Sequence, residues 1–179
     1  MLACAALAGL AVWRHNSQRY DASRLMQTLP IGGAVKVFLN FGALRDSGLL
    51  DTIAGPRALE DADYRHFAEQ IGFDYRTDLD SVAAVFVSGN FYAAARGHFN
   101  WTRLAEYTRA QKGLCSNGIC SLPGGQPDRF ISFYELSPDV LALAVSGRPD
   151  GANVIGPPSG KVAIAVPPAA FWISASIAT

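Results

Sequence analysis

Residues 82–100 read VAAVFVSGNFYAAARGHFN. Two runs rich in β-branched and aromatic residues, VAAVFV (82–87) and FYAAARGHF (91–99), flank Ser88-Gly89-Asn90. Small polar residues around a glycine between such runs predict a β-hairpin. Asn100 closes the second run with a side chain suited to accept from the N–H groups of a first helical turn, and Trp101 to about Lys112 then reads as a helix ended by Gly113. A hairpin leading straight into a helix is the centre of an α+β plan.

Upstream, AVKVFLNF (34–41) alternates, with Val35, Val37, Leu39 and Phe41 on one face and Lys36 and Asn40 on the other, the pattern of a half-buried strand. GALRDSGLLDTIAG then reads as a short helix or turn. A helix over roughly 57–71 follows on the stripe Tyr64, Phe67, Ala68 and Ile71, with Gly72 at the stop position. Downstream, FISFYEL (130–136) and VLALAVS (140–146) form another hairpin around Ser137-Pro138-Asp139. The order strand, helix, two strands, helix, strands is the βαββαβ arrangement of a ferredoxin-like α+β sandwich, placed at 31–147. It has an antiparallel sheet, an extra strand and a small inserted hairpin. Helices are expected on one face, with the other left to solvent or a partner.

The inserted hairpin is KGLCSNGICSLPGG (112–125). Asn-Gly is the strongest short hairpin signal, because a type I′ turn needs positive φ at both central positions. With Asn117-Gly118 in the turn, Ser116 and Ile119 close it and Cys115 faces Cys120 at the next, non-hydrogen-bonded pair. Opposed Cα atoms there lie about 4.5 Å apart, within reach of a disulfide. Two reduced cysteines packing as small apolar residues is the other reading. The C-x4-C spacing is not a redox C-x-x-C, and with only Cys4 and three unpaired histidines besides, no metal site is expected.

MLACAALAGLAVW (1–13) carries no charge, and Arg14-His15 follow. As a helix it would span roughly 20 Å, short of the ~30 Å hydrocarbon core and similar to a signal-peptide apolar region. The preferred reading is an N-terminal apolar helix that acts as signal peptide or membrane anchor, with 14–30 as a juxtamembrane spacer. The competing reading is a buried Ala/Leu helix. Residues 148–160 are rich in Gly and Pro and read as a linker. Aligning Gly33 with Gly160 sets Val35, Val37 and Leu39 opposite Val162, Ile164 and Val166, and Ala43-Leu44 opposite Ala170-Phe171. On that pattern 161–179 would begin a second, truncated module.

Fifteen basic residues balance fifteen acidic ones, so the chain lacks the electrostatic footprint of a nucleic-acid binder. No G-x-S-x-G, P-loop, H-E-x-x-H or dinucleotide fingerprint occurs, so neither catalytic residues nor a cofactor is assigned. Asp74, Asp78 and Asp80 lack the glycine and terminal glutamate of a calcium loop and read as a solvated loop. Arg96 and His98 stand two apart on one strand and share a face. Lys36 on a neighbouring strand is placed on that face, giving a candidate anion site on the open sheet surface. A solvated polar face is the plainer reading.

LPIGGAVKVFLNFGALRDSGLL, FAEQIGFDYRTDLDSVAAVF, ARGHFNWTRLAEYTRAQKG and ISFYELSPDVLALAVS together resemble a type of uncharacterised bacterial envelope protein. Such proteins carry an N-terminal signal or anchor and ferredoxin-like modules. The resemblance covers roughly residues 28–146. It implies an extracytoplasmic, membrane-tethered location and tandem modules, and it supplies no activity. The expected function is a non-enzymatic, membrane-tethered interaction module of the cell envelope, whose partner is a sister module or an envelope protein. The alternative is a small-ligand-binding or cryptic enzymatic domain using Lys36, Arg96 and His98.

Overall fold

The structure, a computed structural model, describes residues 21–32, 35–53, 62–158, 167 and 169–175. The elements in chain order are α1 (Ala22–Thr28), β1 (Val35–Asn40), α2 (Phe41–Asp46), α3 (Leu49–Ile53), α4 (Ala62–Ile71) and α5 (Tyr75–Asp78). There follow β2 (Leu79–Val87), β3 (Asn90–Gly97), α6 (Trp101–Ala110), β4 (Leu114–Ser116) and β5 (Ile119–Pro123). β6 (Phe130–Ser137), β7 (Val140–Ser146), a 3-10 helix (Gly151–Val154) and β8 (Phe171–Ala175) complete the set. Three helices start as their sequences dictate. Asp21, Asn40 and Asn100 each accept a hydrogen bond from the backbone N–H three residues on, at 2.8, 3.0 and 3.1 Å.

All eight strands join one antiparallel sheet in the order β4-β5-β6-β7-β3-β2-β1-β8. The three expected hairpins form, and the α+β class holds. The ferredoxin-like order does not: its split βαβ units need a strand inserted between the two that a helix connects. Here β1 pairs directly with β2, and Asn40 lies opposite Ser81. The chain therefore leaves and re-enters the sheet at one end, and α2–α5 form an excursion at that end without a crossover. Arg96 opposite Val140 shows the same for the excursion that carries α6 and β4–β6.

Both faces of the sheet carry helices, against the expectation of one. On the first face the cross-strand rows are Lys36-Val85-Tyr92-Ala144-Ser132, Phe38-Ala83-Ala94-Ala142-Tyr134 and Asn40-Ser81-Arg96-Val140. Alanines and serines let the backbone of α1 and the 3-10 segment come close, and Leu25 and Ile155 are 0% and 1% exposed there. Full burial of each such side chain is worth about 1.5–3 kcal/mol. Phe38 belongs to this core, so the buried side of β1 includes the residue between Val37 and Leu39.

The segment expected as linker is part of the same core as far as it is described. Ser132 Oγ accepts from the Ala152 N–H at 2.9 Å, the Tyr134 hydroxyl donates to the Ile155 carbonyl, and the Gly156 N–H donates to the Thr28 carbonyl. Residues 22–28, expected in the spacer, are the α1 helix of this face. At the other end of the sheet, residues 171–175 are strand where the internal alignment placed a helix, and they pair with β1. The apolar segment 1–13 and the strand expected over 162–166 lie outside the described residues.

Candidate functional site

The second face is built from larger side chains. Its rows run Val35-Phe86-Phe91-Val145-Ile131-Leu122, then Ile173-Val37-Ala84-Ala93-Leu143-Phe133-Cys120, then Phe171-Leu39-Val82-Ala95-Leu141. The residues named in these rows are all uncharged, and the third meets Glu135 on β6 opposite Leu141. Helices α4 and α6 lie over the β5–β6–β7 side, where Ile71, Leu104, Cys120 and Phe133 form a second buried cluster.

Between these helices and the sheet is a cavity of about 410 Å³. That is within the ~300–1,000 Å³ usual for small-molecule pockets. Its floor includes Val82, Ala95, Leu141 and Leu143, and its roof is Phe67 and Ile71 of α4 with Leu104 and Tyr107 of α6. Phe67 and Tyr107 meet edge to face at 5.2 Å. One end is walled by Phe73 and Phe99, whose rings stack at 5.7 Å and 13°. The Tyr107 hydroxyl is the one side-chain polar group in this lining.

Ile131 lines both this cavity and a neighbouring groove of about 340 Å³, so the two adjoin at that side chain. Phe86, Phe91 and Val145 carry the apolar row into the groove, and Arg129 stands at its rim. Arg129 donates from one Nη to Asn90 Oδ1 at 3.1 Å and from the other to the Gly89 carbonyl at 2.7 Å. The 88–89 turn it holds has positive φ at both Ser88 and Gly89 (49° and 75°), as a type I′ hairpin requires.

The sequence-predicted site residues are not gathered. Lys36 and Arg96 share the first face, but they stand two rows apart, about 14 Å along the strands. Arg96 faces Asp80, with Nε 3.5 Å from Oδ2. His98 lies beyond the end of β3, exposed, its N–H donating to the Asp78 carbonyl at 2.7 Å. The face they share is closed by α1 and the 3-10 segment and is not the open surface expected. The acidic run is a helical turn: Asp74 accepts from the Arg76 N–H, and Asp78 returns a carboxylate oxygen to the Asp74 N–H at 2.7 Å. Among the described residues no group of three or more His, Cys, Asp or Glu is placed to hold a metal ion.

Cys115 and Cys120 form a disulfide across the expected pair, with Cα atoms 4.0 Å apart and positive φ at Asn117 and Gly118. The bond is consistent with an extracytoplasmic location. Among the described residues, no helix is long and apolar enough to cross a membrane. Charge perturbations are few. The Arg148 guanidinium, forked onto Asp150 at 3.0 and 2.9 Å, holds that carboxyl below its ordinary value. Burial beside Tyr75 pushes the Tyr64 phenol up.

No family model and no curated protein matches the chain. Among solved structures it is similar to TP0453 in crystal form I, at 11% identity and a TM-score of 0.48, over 75% of this chain and 50% of that one. Crystal form IV of TP0453 gives 10% identity and a TM-score of 0.43, over 79% and 56%. The chain thus spans about half the length of TP0453.

Proposed function

We propose that this chain is an extracytoplasmic, non-enzymatic binding module of the cell envelope that holds a hydrocarbon-bearing small molecule between α4, α6 and the sheet. The observation that carries this reading is the cavity itself: about 410 Å³ lined by apolar and aromatic side chains. Water in such a space finds almost no hydrogen-bond partner, whereas a hydrocarbon gains about 0.8 kcal/mol per buried CH₂. The disulfide supports the compartment. The ligand assignment moves from Lys36, Arg96 and His98 to the opposite face of the sheet.

The test is saturable binding of a fluorescent hydrocarbon probe to the wild type and to Ala95→Phe, which fills the cavity floor. The expected outcome is loss of binding in the variant with an unchanged unfolding midpoint. A wild type that fails to bind the probe saturably overturns the reading.

A second reading, docking of another protein module, is favoured by the β1–β8 end of the same face. There Phe171 and Ile173 are 50% and 57% exposed beside Val37 and Leu39. Gel filtration of the wild type against Phe171→Ser/Ile173→Ser distinguishes it.

A further inference from the structure

Arg129 has no role in a purely hydrocarbon site, yet it stands where the groove opens. Its backbone is fixed from both sides, with the N–H donating to the Gln126 carbonyl at 3.3 Å and the carbonyl accepting from Gly124 at 2.7 Å. Its guanidinium is fixed by Asn90 and Gly89. These are neutral acceptors. Among the described residues no carboxylate lies within ion-pair distance of Arg129, and none lines the groove. Two of the guanidinium's five N–H groups are used, and the others remain for a ligand. Arg129 is half-buried, so its charge is less screened than that of a side chain in bulk water.

From Arg129 the apolar path runs over Phe91 and Val145, past Ile131, to Leu143 and Leu141 in the cavity. Val145 and Leu141 are four residues apart on β7, about 14 Å of continuous apolar floor. One fixed cation lining the groove and an apolar cavity adjoining it match a molecule charged at one end only.

Resting on the cavity reading above, we infer that the ligand is a single-chain anionic amphiphile. Its carboxylate or phosphate head is received by Arg129, and its tail lies along the groove into the cavity. The planar guanidinium fork suits either head, and such charge-assisted bonds are roughly twice as strong as neutral ones. The structural role of Arg129, clamping the 88–89 turn, does not distinguish a charged ligand from a neutral one. Binding does.

The experiment measures dissociation constants by titration calorimetry for dodecanoate, dodecyl phosphate and dodecanol, below their micellar concentrations. The proteins are the wild type, Arg129→Gln and Arg129→Lys, with folding followed by circular dichroism. In the wild type at least one anion is expected to bind roughly tenfold tighter than dodecanol, with that advantage shrinking as salt rises. The preferred anion distinguishes a free fatty acid from a phosphate-headed lipid. Arg129→Gln is expected to remove the anion's advantage over dodecanol, while Arg129→Lys keeps part of it. Equal affinity for all three ligands in the wild type overturns the inference and leaves the cavity reading standing. An equal loss for anion and alcohol in the variants also overturns it, because that assigns Arg129 to the turn alone. Absence of dodecanol binding as well as anion binding to the wild type sinks the cavity reading itself. Should Arg129→Gln not fold, the salt dependence of the wild type and the Arg129→Lys series decide the question.

Discussion

The two faces of the sheet are made by the same strands, residue by alternate residue, yet they do opposite things. Ala83, Ala94, Ala142 and Ala144 make the first face flat, and all four are fully buried beneath α1 and the 3-10 segment. The second face carries Phe86, Phe91, Leu143, Phe133 and Leu141 in matching positions. Tall side chains hold α4 and α6 away from the sheet, and where one of them is small, as at Ala95, space is left over. Close packing of small residues closes a surface; uneven packing of large ones opens it.

That contrast is broken or sharpened most directly at two adjacent residues. Ala94→Leu forces three extra carbons into the closed face and is expected to cost about 1–3 kcal/mol in urea denaturation, or more if α1 is displaced. Ala95→Leu adds the same atoms to the cavity floor and is expected to change stability by under ~0.5 kcal/mol, because the space to hold them exists. Similar losses in both variants would mean that the second face is packed as tightly as the first.

Reducing the Cys115–Cys120 bond tests how the roof of the second face is held. Cys120 lies in the middle row opposite Cys115 and packs with Phe133 and Leu104, so the disulfide ties the β4–β5 hairpin to the cavity side. The loop it closes is short, and chain entropy gives at most about 2 kcal/mol. The expected result is a shift of that size or less in the denaturation midpoint on adding reductant. A much larger loss would make the hairpin a folding requirement for the whole sheet.

The smallest effect belongs to the closed face. Arg148 depresses the Asp150 carboxyl in the folded protein, so the pair adds stability above the unfolded carboxyl's pKa and loses it as pH falls through the lower folded value. Both groups are exposed and screened, so the contribution is small. Unfolding midpoints followed from neutral to acid pH are expected to fall slightly more steeply in the wild type than in Asp150→Asn. High salt is expected to remove the difference.

Much of the local structure was legible because it depends on neighbours in the chain. Asn100 caps α6, Asn117-Gly118 turns the cysteine hairpin, and the runs at 82–87, 91–99, 130–136 and 140–146 pair as hairpins, each for reasons contained in a few residues. The errors concern long-range choices. Val35, Val37 and Leu39 alternate as a buried face, but Phe38 between them is the residue that reaches the closed core, a sign that β1 has a covered side chain on each side. The Gly/Pro-rich stretch at 148–158 looks like a linker because its composition is loose. It packs because Ser132 and Tyr134, some twenty residues earlier, offer it hydrogen bonds.

The site was the least legible part. Lys36, Arg96 and His98 stood out as charged groups on a strand, whereas the cavity is defined by Ala95, Leu141, Leu143 and Phe67, ordinary core residues in any one-dimensional reading. Arg129 carried no motif at all. The sequence by itself determined the start of α6, the hairpins, the facing of Cys115 and Cys120 and the α+β class, because capping, turn chemistry and alternation act over a few residues. Only the tertiary structure decided the order of the strands, which face closed, and that a guanidinium held by neutral acceptors lines a groove adjoining an apolar cavity. Those depend on which distant side chains share a row across the sheet, and on whether their volumes leave a gap.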